Sequence, residues 1–185
     1  MTSADGLLFF LTMFAAIGSG LVAGIFFAFS AFVMKALERI TPGSGIVAMQ
    51  SINIAVINPL FLSVFLGTTT ASVVLVLAAV WRWRAPGTEC MLLGGCFYLA
   101  GTFLVTLMFN VPRNEALALV DSSTPSADAA WREYAASWKR WNHVRTLAAL
   151  AAAVYLTIAL TQFRAGHGDD QRSSVVETNK QVDGK

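Results

Sequence analysis

Charged side chains are scarce in this sequence and absent from four long stretches of it. Only 13% of the 185 residues are Asp, Glu, Lys or Arg, about half the share found in soluble domains. The uncharged stretches lie between Asp5 and Lys35, Arg39 and Arg82, Glu89 and Arg113, and Arg145 and Arg164. Each is long enough to cross a hydrocarbon core about 30 Å thick. The sequence therefore predicts an integral membrane protein in contact with the lipid bilayer.

Further absences narrow the class of protein. The net charge is only +2 and no basic run is present, so nucleic acid is not an expected partner. The first apolar stretch lacks a basic region before it and is about twice as long as a signal-peptide core, so we interpret it as a retained helix.

Cys90 and Cys96 lie six positions apart, a spacing that points their side chains apart on a helix. We expect buried thiols without a disulfide or a redox role.

Hydropathy and turn residues predict four membrane helices. They cover approximately residues 6–34, 59–80, 91–109 and 146–163. A turn signal at Thr41–Gly45 precedes a short interfacial or re-entrant helix over residues 46–57. Helix three is expected to stop at Asn110, because Pro112 disfavours helix in the residue before it.

The predicted fold is all-α, an integral membrane four-helix bundle with up-down-up-down topology. The connection between helices three and four is partly helical, residues 1–165 form the transmembrane domain, and residues 166–185 form a disordered polar tail. Arg82, Arg84 and Arg164 favour a cytoplasmic location for their side of the plasma membrane, and hence for both termini. Four crossings place the first and third connections together on the opposite face.

Polar and aromatic residues concentrate on that shared face. They are Glu38, Arg39, Asn53, Asn58, Asn110, Asn114, Trp138, Trp141, Asn142, His143 and Arg145. A helical stripe runs through the last of them, formed by Trp131, Tyr134, Trp138, Trp141 and Arg145. Polar groups at membrane depth are costly and usually face the bundle interior. The sequence therefore predicts a site at this end of the bundle.

Each member of this constellation also has a simpler explanation. The tryptophans are typical interface anchors, Arg145 could reach the headgroups as a snorkelling side chain, and Asn110 could cap its helix. On an unbroken helix His143 points about 140° away from Trp138. Only a helix break near Trp141 would place the side chains of His143 and Trp138 on the same wall of a site.

Familiar catalytic motifs are missing. The sequence has no HExxH, paired CxxC, GxGxxG, Walker or nucleophile-elbow motif. His167 lies in the predicted tail, which leaves one histidine with asparagine and carboxylate partners as a metal-site alternative.

Small residues recur every four positions at Ala16, Gly20, Gly24 and Ala28, a pattern that favours helix packing and is compatible with a homo-oligomer. A groove for a flat ligand is the other interpretation of this stripe.

Three segments of the chain resemble landmarks of the anthrone oxygenase family. They are GIFFAFS followed by VM (residues 24–30 and 33–34), NVPRN (residues 110–114) and WKRWNHVRT (residues 138–146). The resemblance covers about residues 6–160, and the order of the asparagine–proline and tryptophan–asparagine motifs is characteristic. Lys35 stands where a proline is common.

The resemblance implies a small four-helix membrane protein. Fungal relatives are associated with the conversion of anthrones to anthraquinones without a metal or flavin, so no cofactor is expected. The resemblance implies a monooxygenase that would act on a flat lipophilic aromatic. Its catalytic residues would be His143 as the base, with Asn110, Asn114 and Arg145 as donors to an oxyanion. Substrate would be bound by Trp138, Trp141, Asn142, Asn58 and Asn53.

Two alternatives belong to other classes. In a non-catalytic lipophile-binding or accessory membrane protein, the same asparagines and tryptophans would fix the bundle and its contacts. A carrier would need a cavity open to alternate sides, for which four short helices leave little room.

Overall fold

A computed structural model shows a helical chain, with its backbone described for residues 3–183 and its side chains for residues 4–163. Within that part there are five helices and no strand. Helix α1 covers Ser3–Ala28, continues as a π-helical segment over Phe29–Val33 and ends with Met34–Leu37. Helix α2 is Pro42–Ala55 and α3 is Pro59–Trp81. Helix α4 is Thr88–Ala118 and α5 is Ala127–Asp183.

Four of these helices are long and apolar enough to cross a membrane: Ala4–Leu37, Pro59–Trp81, Thr88–Ala118 and Ala127–Phe163. Helix α1 packs against α3 and α5, and α4 packs against the same two, so the spans form a closed ring. The predicted integral membrane four-helix bundle is thereby confirmed. The assignment of the termini to the cytoplasm and of the chain to the plasma membrane stays a prediction.

Neighbouring spans run antiparallel and approach closely at glycines. A Cβ on Gly94 of α4 would lie 2.7 Å from the Leu156 side chain, and one on Gly101 would lie 2.4 Å from Ala148 of α5. The residue number therefore rises along α4 while it falls along α5. Between α1 and α3, Gly18 meets Thr68 in the same way. These contacts are typical of membrane helices, where close backbone approach replaces the hydrophobic drive.

Only part of the predicted small-residue stripe on α1 packs against other helices of the chain. Ala16 is buried, whereas a Cβ added to Gly20 or Gly24 would have no neighbour within 4 Å. Those two glycines lie on the exposed face of α1. They therefore make none of the helix contacts described above, and an oligomer through them stays a prediction.

We predict opposite effects of adding one methyl group at two of these glycines. Gly101→Ala places its Cβ against the Ala148 Cβ, which cannot rotate away, so α4 and α5 must separate at a cost of about 1–3 kcal/mol. Gly20→Ala meets no atom and gains up to about 1 kcal/mol of helix propensity. Thermal unfolding in detergent measures both. Equal melting temperatures for the two variants would contradict the described contact between α4 and α5.

Helix α2 covers one end of the bundle. It begins at Pro42, a residue suited to the first helical position, so the predicted turn at Thr41–Gly45 is the start of the helix and not a loop before it. Its buried Ile46 and Met49 pack on aromatic residues of α5. The Gln50 amide donates to the carbonyls of Leu117 at 2.9 Å and Val120 at 3.1 Å. The first and third connections of the chain therefore meet at one end, as the crossing count predicted.

The predicted stop of helix three at Asn110 is wrong. Helix α4 continues through Pro112 to Ala118, and the residues directly before the proline, Thr106–Asn110, are π-helical. The Val111 N–H accordingly bonds to the Thr106 carbonyl, five residues back. This wider turn leaves room for the proline ring, and the Arg113 Nη1 donates to the Phe109 carbonyl at 2.6 Å.

Helix α5 is unbroken from Ala127 through Trp141 and beyond, so the break that would bring His143 and Trp138 to one wall does not occur. The loop before it is ordered by Asp121, whose carboxylate accepts from the Ser123 hydroxyl at 2.7 Å and backbone N–H at 2.9 Å. These two hydrogen bonds lower the pKa of Asp121. The predicted disordered tail, residues 166–185, lies outside the described side chains and stays a prediction.

The opposite end of the bundle carries aromatic residues placed as membrane anchors. Trp81 is 91% exposed and Trp83 56% exposed, as expected for aromatic residues at a membrane interface. Arg82 forms an ion pair with Asp5 at 2.6 Å.

Cys90 and Cys96 are free, as predicted. However, Cys96 is exposed and Cys90 only partly buried, so the prediction of buried thiols is wrong.

Candidate functional site

The stripe on α5 faces the bundle interior beneath α2. Trp131, Tyr134 and Trp138 are each less than 10% exposed and pack against Met34 and Met49. Their interpretation as surface anchors is therefore wrong, because an anchor needs contact with the membrane interface. Trp141 is only half-buried. The stripe forms an aromatic wall that leads one turn further to Arg145.

Arg145 is a buried arginine, with 6% of its surface exposed. Its Nε donates to the Asn142 Oδ1 at 2.9 Å, and its Nη1 lies 3.5 Å from the Thr106 hydroxyl. The guanidinium carbon sits 3.9 Å from the centre of the Phe26 ring and 4.9 Å from that of Trp138. A snorkelling arginine would extend to the headgroups; this one is held between two aromatic faces.

No carboxylate pairs with this guanidinium among the side chains of residues 4–163. The ion pairs found there are Arg82 with Asp5 and Lys139 with Glu38. A guanidinium carries five N–H donors, and among the described residues its Nε and Nη1 have side-chain acceptors. Burying a charge without a partner is expensive. Arg145 therefore offers spare donors and an uncompensated positive charge to whatever enters this space.

Asn142 fixes the position of Arg145 relative to α1. Its Nδ2 donates to the Phe26 carbonyl at 2.8 Å and to the Ser30 hydroxyl at 2.7 Å, while its Oδ1 accepts from Arg145. The α1 partners lie where the helix changes from α to π geometry after Ala28. Asn142 is completely buried, and both ends of its amide are occupied. It therefore positions Arg145 and has little capacity left for a ligand.

Asn110 keeps one acceptor unpaired. The residue is fully buried; its Nδ2 donates to the Trp138 carbonyl at 3.4 Å, and its Oδ1 has no hydrogen-bond partner. The helix continues past Asn110 to Ala118, so the interpretation of Asn110 as a cap at the helix end is wrong. Thr106, the neighbour of Arg145, lies one turn earlier on α4. An unpaired buried acceptor costs about 1–3 kcal/mol, which marks this position as a place for a donor.

Asn114 orients the aromatic wall. Its Oδ1 accepts from the Tyr134 hydroxyl and from the Trp138 indole N–H, both at 2.9 Å. The Asn53 amide lies beside the same Tyr134 hydroxyl, and its Nδ2 is buried without a partner. These bonds hold the Trp138 ring in place against Arg145.

We refer to the residues around the guanidinium as the Arg145 cluster. Its members are Phe26, Ser30, Thr106, Asn110, Trp138, Asn142 and Arg145. It joins α1, α4 and α5, and none of its members is a carboxylate or a histidine. Phe26, Ser30 and Thr106 were not predicted as site residues. Thr106 could have been found, because it precedes Asn110 by four positions on the same helix face.

Other predicted site residues lie outside this cluster. His143 is exposed, because the unbroken helix turns it away from Trp138. Asn58 caps α3: its Oδ1 accepts from the Phe61 N–H at 3.0 Å and its Nδ2 donates to the Ala55 carbonyl at 2.9 Å. Trp141 stacks on Phe109 with a ring separation of 3.6 Å. The structure thus brings Asn110, Trp138, Asn142 and Arg145 together, with Asn114 and Asn53 behind them.

The fold and this geometry define a class: a four-helix integral membrane protein with an aromatic-walled polar site at one end. The family model for anthrone oxygenase matches residues 59–155, which is more than half of the chain. The chain therefore belongs to the anthrone oxygenase family. No curated protein and no solved structure matches it.

Proposed function

We propose that this protein is a cofactor-independent oxygenase that converts a flat, lipophilic, anthrone-like aromatic into the corresponding quinone. The observation that carries the proposal is the buried guanidinium of Arg145, unpaired among the described side chains and enclosed by Phe26 and Trp138. Such donors stabilise negative charge that develops on a substrate oxygen. Membership of the family supplies the class of reaction.

The chemistry balances without a further redox partner. Loss of one proton from the CH₂ group of an anthrone gives a delocalised anion whose charge rests largely on the carbonyl oxygen. That anion transfers one electron to O₂, and the resulting radical and superoxide combine into a peroxide at the same carbon. Loss of the second proton and cleavage of the O–O bond yield the quinone carbonyl and water. Carbon loses four electrons, and O₂ gains the same four.

The residues of the site divide this work. Arg145, held between the rings of Phe26 and Trp138, donates to the anionic oxygen, and the Asn110 Oδ1 accepts from a hydroxyl of the substrate. Asn142 and Asn114 position Arg145 and Trp138. Asn53 lies behind these residues, beside the Tyr134 hydroxyl. His143 has no part in this proposal because its side chain is exposed.

The direct test is oxygenation by the purified protein in detergent. We expect an anthrone to consume one O₂ per quinone formed, at a rate well above that of empty micelles. Chelator should leave the rate unchanged. If the rate equals that of the micelles while the anthrone still binds, the site serves a non-catalytic lipophile-binding protein and the oxygenase proposal fails.

A further inference from the structure

No described side chain of the helices around Arg145 supplies a counter-ion to its charge. The titratable groups described at this end are Lys35, Glu38, Arg39, Tyr98, Arg113, Glu115, Asp121, Asp128, Arg132, Glu133, Tyr134, Lys139, Arg140 and His143. Of the carboxylates, Asp121, Asp128 and Glu133 are exposed. Helices α2 and α3 contribute none. Glu38, the carboxylate bonded to this end of α5, is paired with Lys139 at 2.5 Å. Glu115 is exposed.

The same groups offer no obvious acceptor for a proton from a ligand. The Tyr134 hydroxyl donates to Asn114, and the Tyr98 hydroxyl donates to the Phe65 carbonyl at 3.2 Å. Arg113 donates to Ser137 and to the Phe109 carbonyl. The Arg145 cluster itself consists of the guanidinium, two hydroxyls, two amides and two aromatic rings, none of which is a base. A ligand that arrived as a neutral acid would leave both the charge uncompensated and its own proton without a base.

We propose that the Arg145 cluster selects its ligand in the ionised form: it binds the conjugate base of an aromatic acid, and the proton stays in solvent. The bound anion neutralises the guanidinium and accepts charge-assisted hydrogen bonds from it. The pH dependence of binding is then set by the acidity of the ligand and not by a protein side chain. This inference concerns the same site as the proposed function, but it requires binding only and no oxygenation.

Three naphthalenes of similar size make the test. The probes are 2-naphthol, the more acidic 6-cyano-2-naphthol, and 2-methoxynaphthalene, which cannot ionise. Binding to the full-length protein in detergent is measured as a function of pH under nitrogen, with empty micelles as the blank. Since no O₂ is present, a failure of the oxygenase proposal leaves this result unaffected.

We expect the affinity for each naphthol to rise about tenfold per pH unit below the pKa of that naphthol, and to level off above it. The profile of the cyano compound should be displaced to lower pH by the difference between the two acidities. The methoxy compound should bind at least about tenfold more weakly than the naphthols at their plateaus. Profiles that coincide for the two naphthols would place the titrating group on the protein and overturn the inference, as would binding without pH dependence.

Variants connect the effect to Arg145. In R145Q the two naphthols should lose their pH-dependent gain, whereas R145K should keep the pH dependence with weaker binding, because ammonium keeps the charge and loses the planar fork. Arg132→Gln, at an exposed arginine of the same helix, is the matched control and should behave as the unaltered protein. An unchanged profile in folded R145Q contradicts the inference. If R145Q does not fold, the comparison of the two naphthols still decides.

Discussion

Replacing Arg145 by glutamine is expected to lower kcat/KM for anthrone oxygenation by about 10²- to 10³-fold, the effect of removing one oxyanion donor from a pre-formed site. Glutamine keeps a polar side chain but loses the charge and the planar donors that face the space between Phe26 and Trp138. Steady-state O₂ consumption in detergent measures this ratio. Because the variant removes a buried charge that lacks a partner, its melting temperature should be equal or higher.

Two variants serve as controls for this experiment. His143→Ala and Arg132→Gln change exposed residues of the same helix, and each should retain activity within about twofold, since surface substitutions are usually tolerated. A loss of activity in His143→Ala comparable to that of R145Q would restore the histidine as the base. Activity that persists in R145Q would show that the guanidinium does not stabilise the reacting anion.

The second large effect is expected from Asn142→Leu. Leucine fills a similar volume but removes three hydrogen bonds, and it leaves the Phe26 carbonyl, the Ser30 hydroxyl and the Arg145 Nε without these partners. Buried groups left unpaired in this way cost about 1–3 kcal/mol each, so we expect the three together to destabilise the protein by at least about 3 kcal/mol. Thermal or denaturant unfolding in detergent measures it, and ligand affinity should fall as well because Arg145 loses its orientation.

His143→Leu provides the control one position away. Its side chain is exposed, so introduction of the same leucine should change stability by less than about 0.5 kcal/mol. A similar small change in Asn142→Leu would mean that Asn142 does not link α1 to α5. A large change in both variants would point to an effect of leucine on α5 in general.

The architecture could be predicted from the sequence because bilayer thickness imposes a strong constraint on composition. Charge-free stretches gave the spans, and four crossings required the first and third connections to meet, as Gln50 and Glu38 now show by their contacts with the other connection and α5. The helical spacing of Trp131, Tyr134, Trp138 and Arg145 gave one buried face of α5. The first argument uses the number of membrane crossings and the second uses the period of the helix. Neither depends on which atoms a side chain contacts.

The wrong predictions are those that applied a rule about neighbouring residues in the sequence where the surrounding helices decide the outcome. Pro112 reads as a helix end, but a π-helical turn accommodates it inside α4. Asn58 and Asn142 each precede an apolar stretch in the sequence, yet Asn58 caps α3 whereas Asn142 lies inside α5 and donates to a carbonyl of α1. No pattern in the sequence separates these roles, because they depend on which backbone carbonyl lies opposite. The position of His143 followed from helix periodicity alone, once α5 proved continuous.

The position of a bound anion tests the central claim most directly. A structure of the protein with 2-naphthol at a pH above the pKa of that phenol should place its oxygen about 2.7–2.9 Å from a guanidinium nitrogen of Arg145. A naphtholate bound on the lipid-facing surface, or one whose oxygen points away from Arg145 and Asn110, would contradict it.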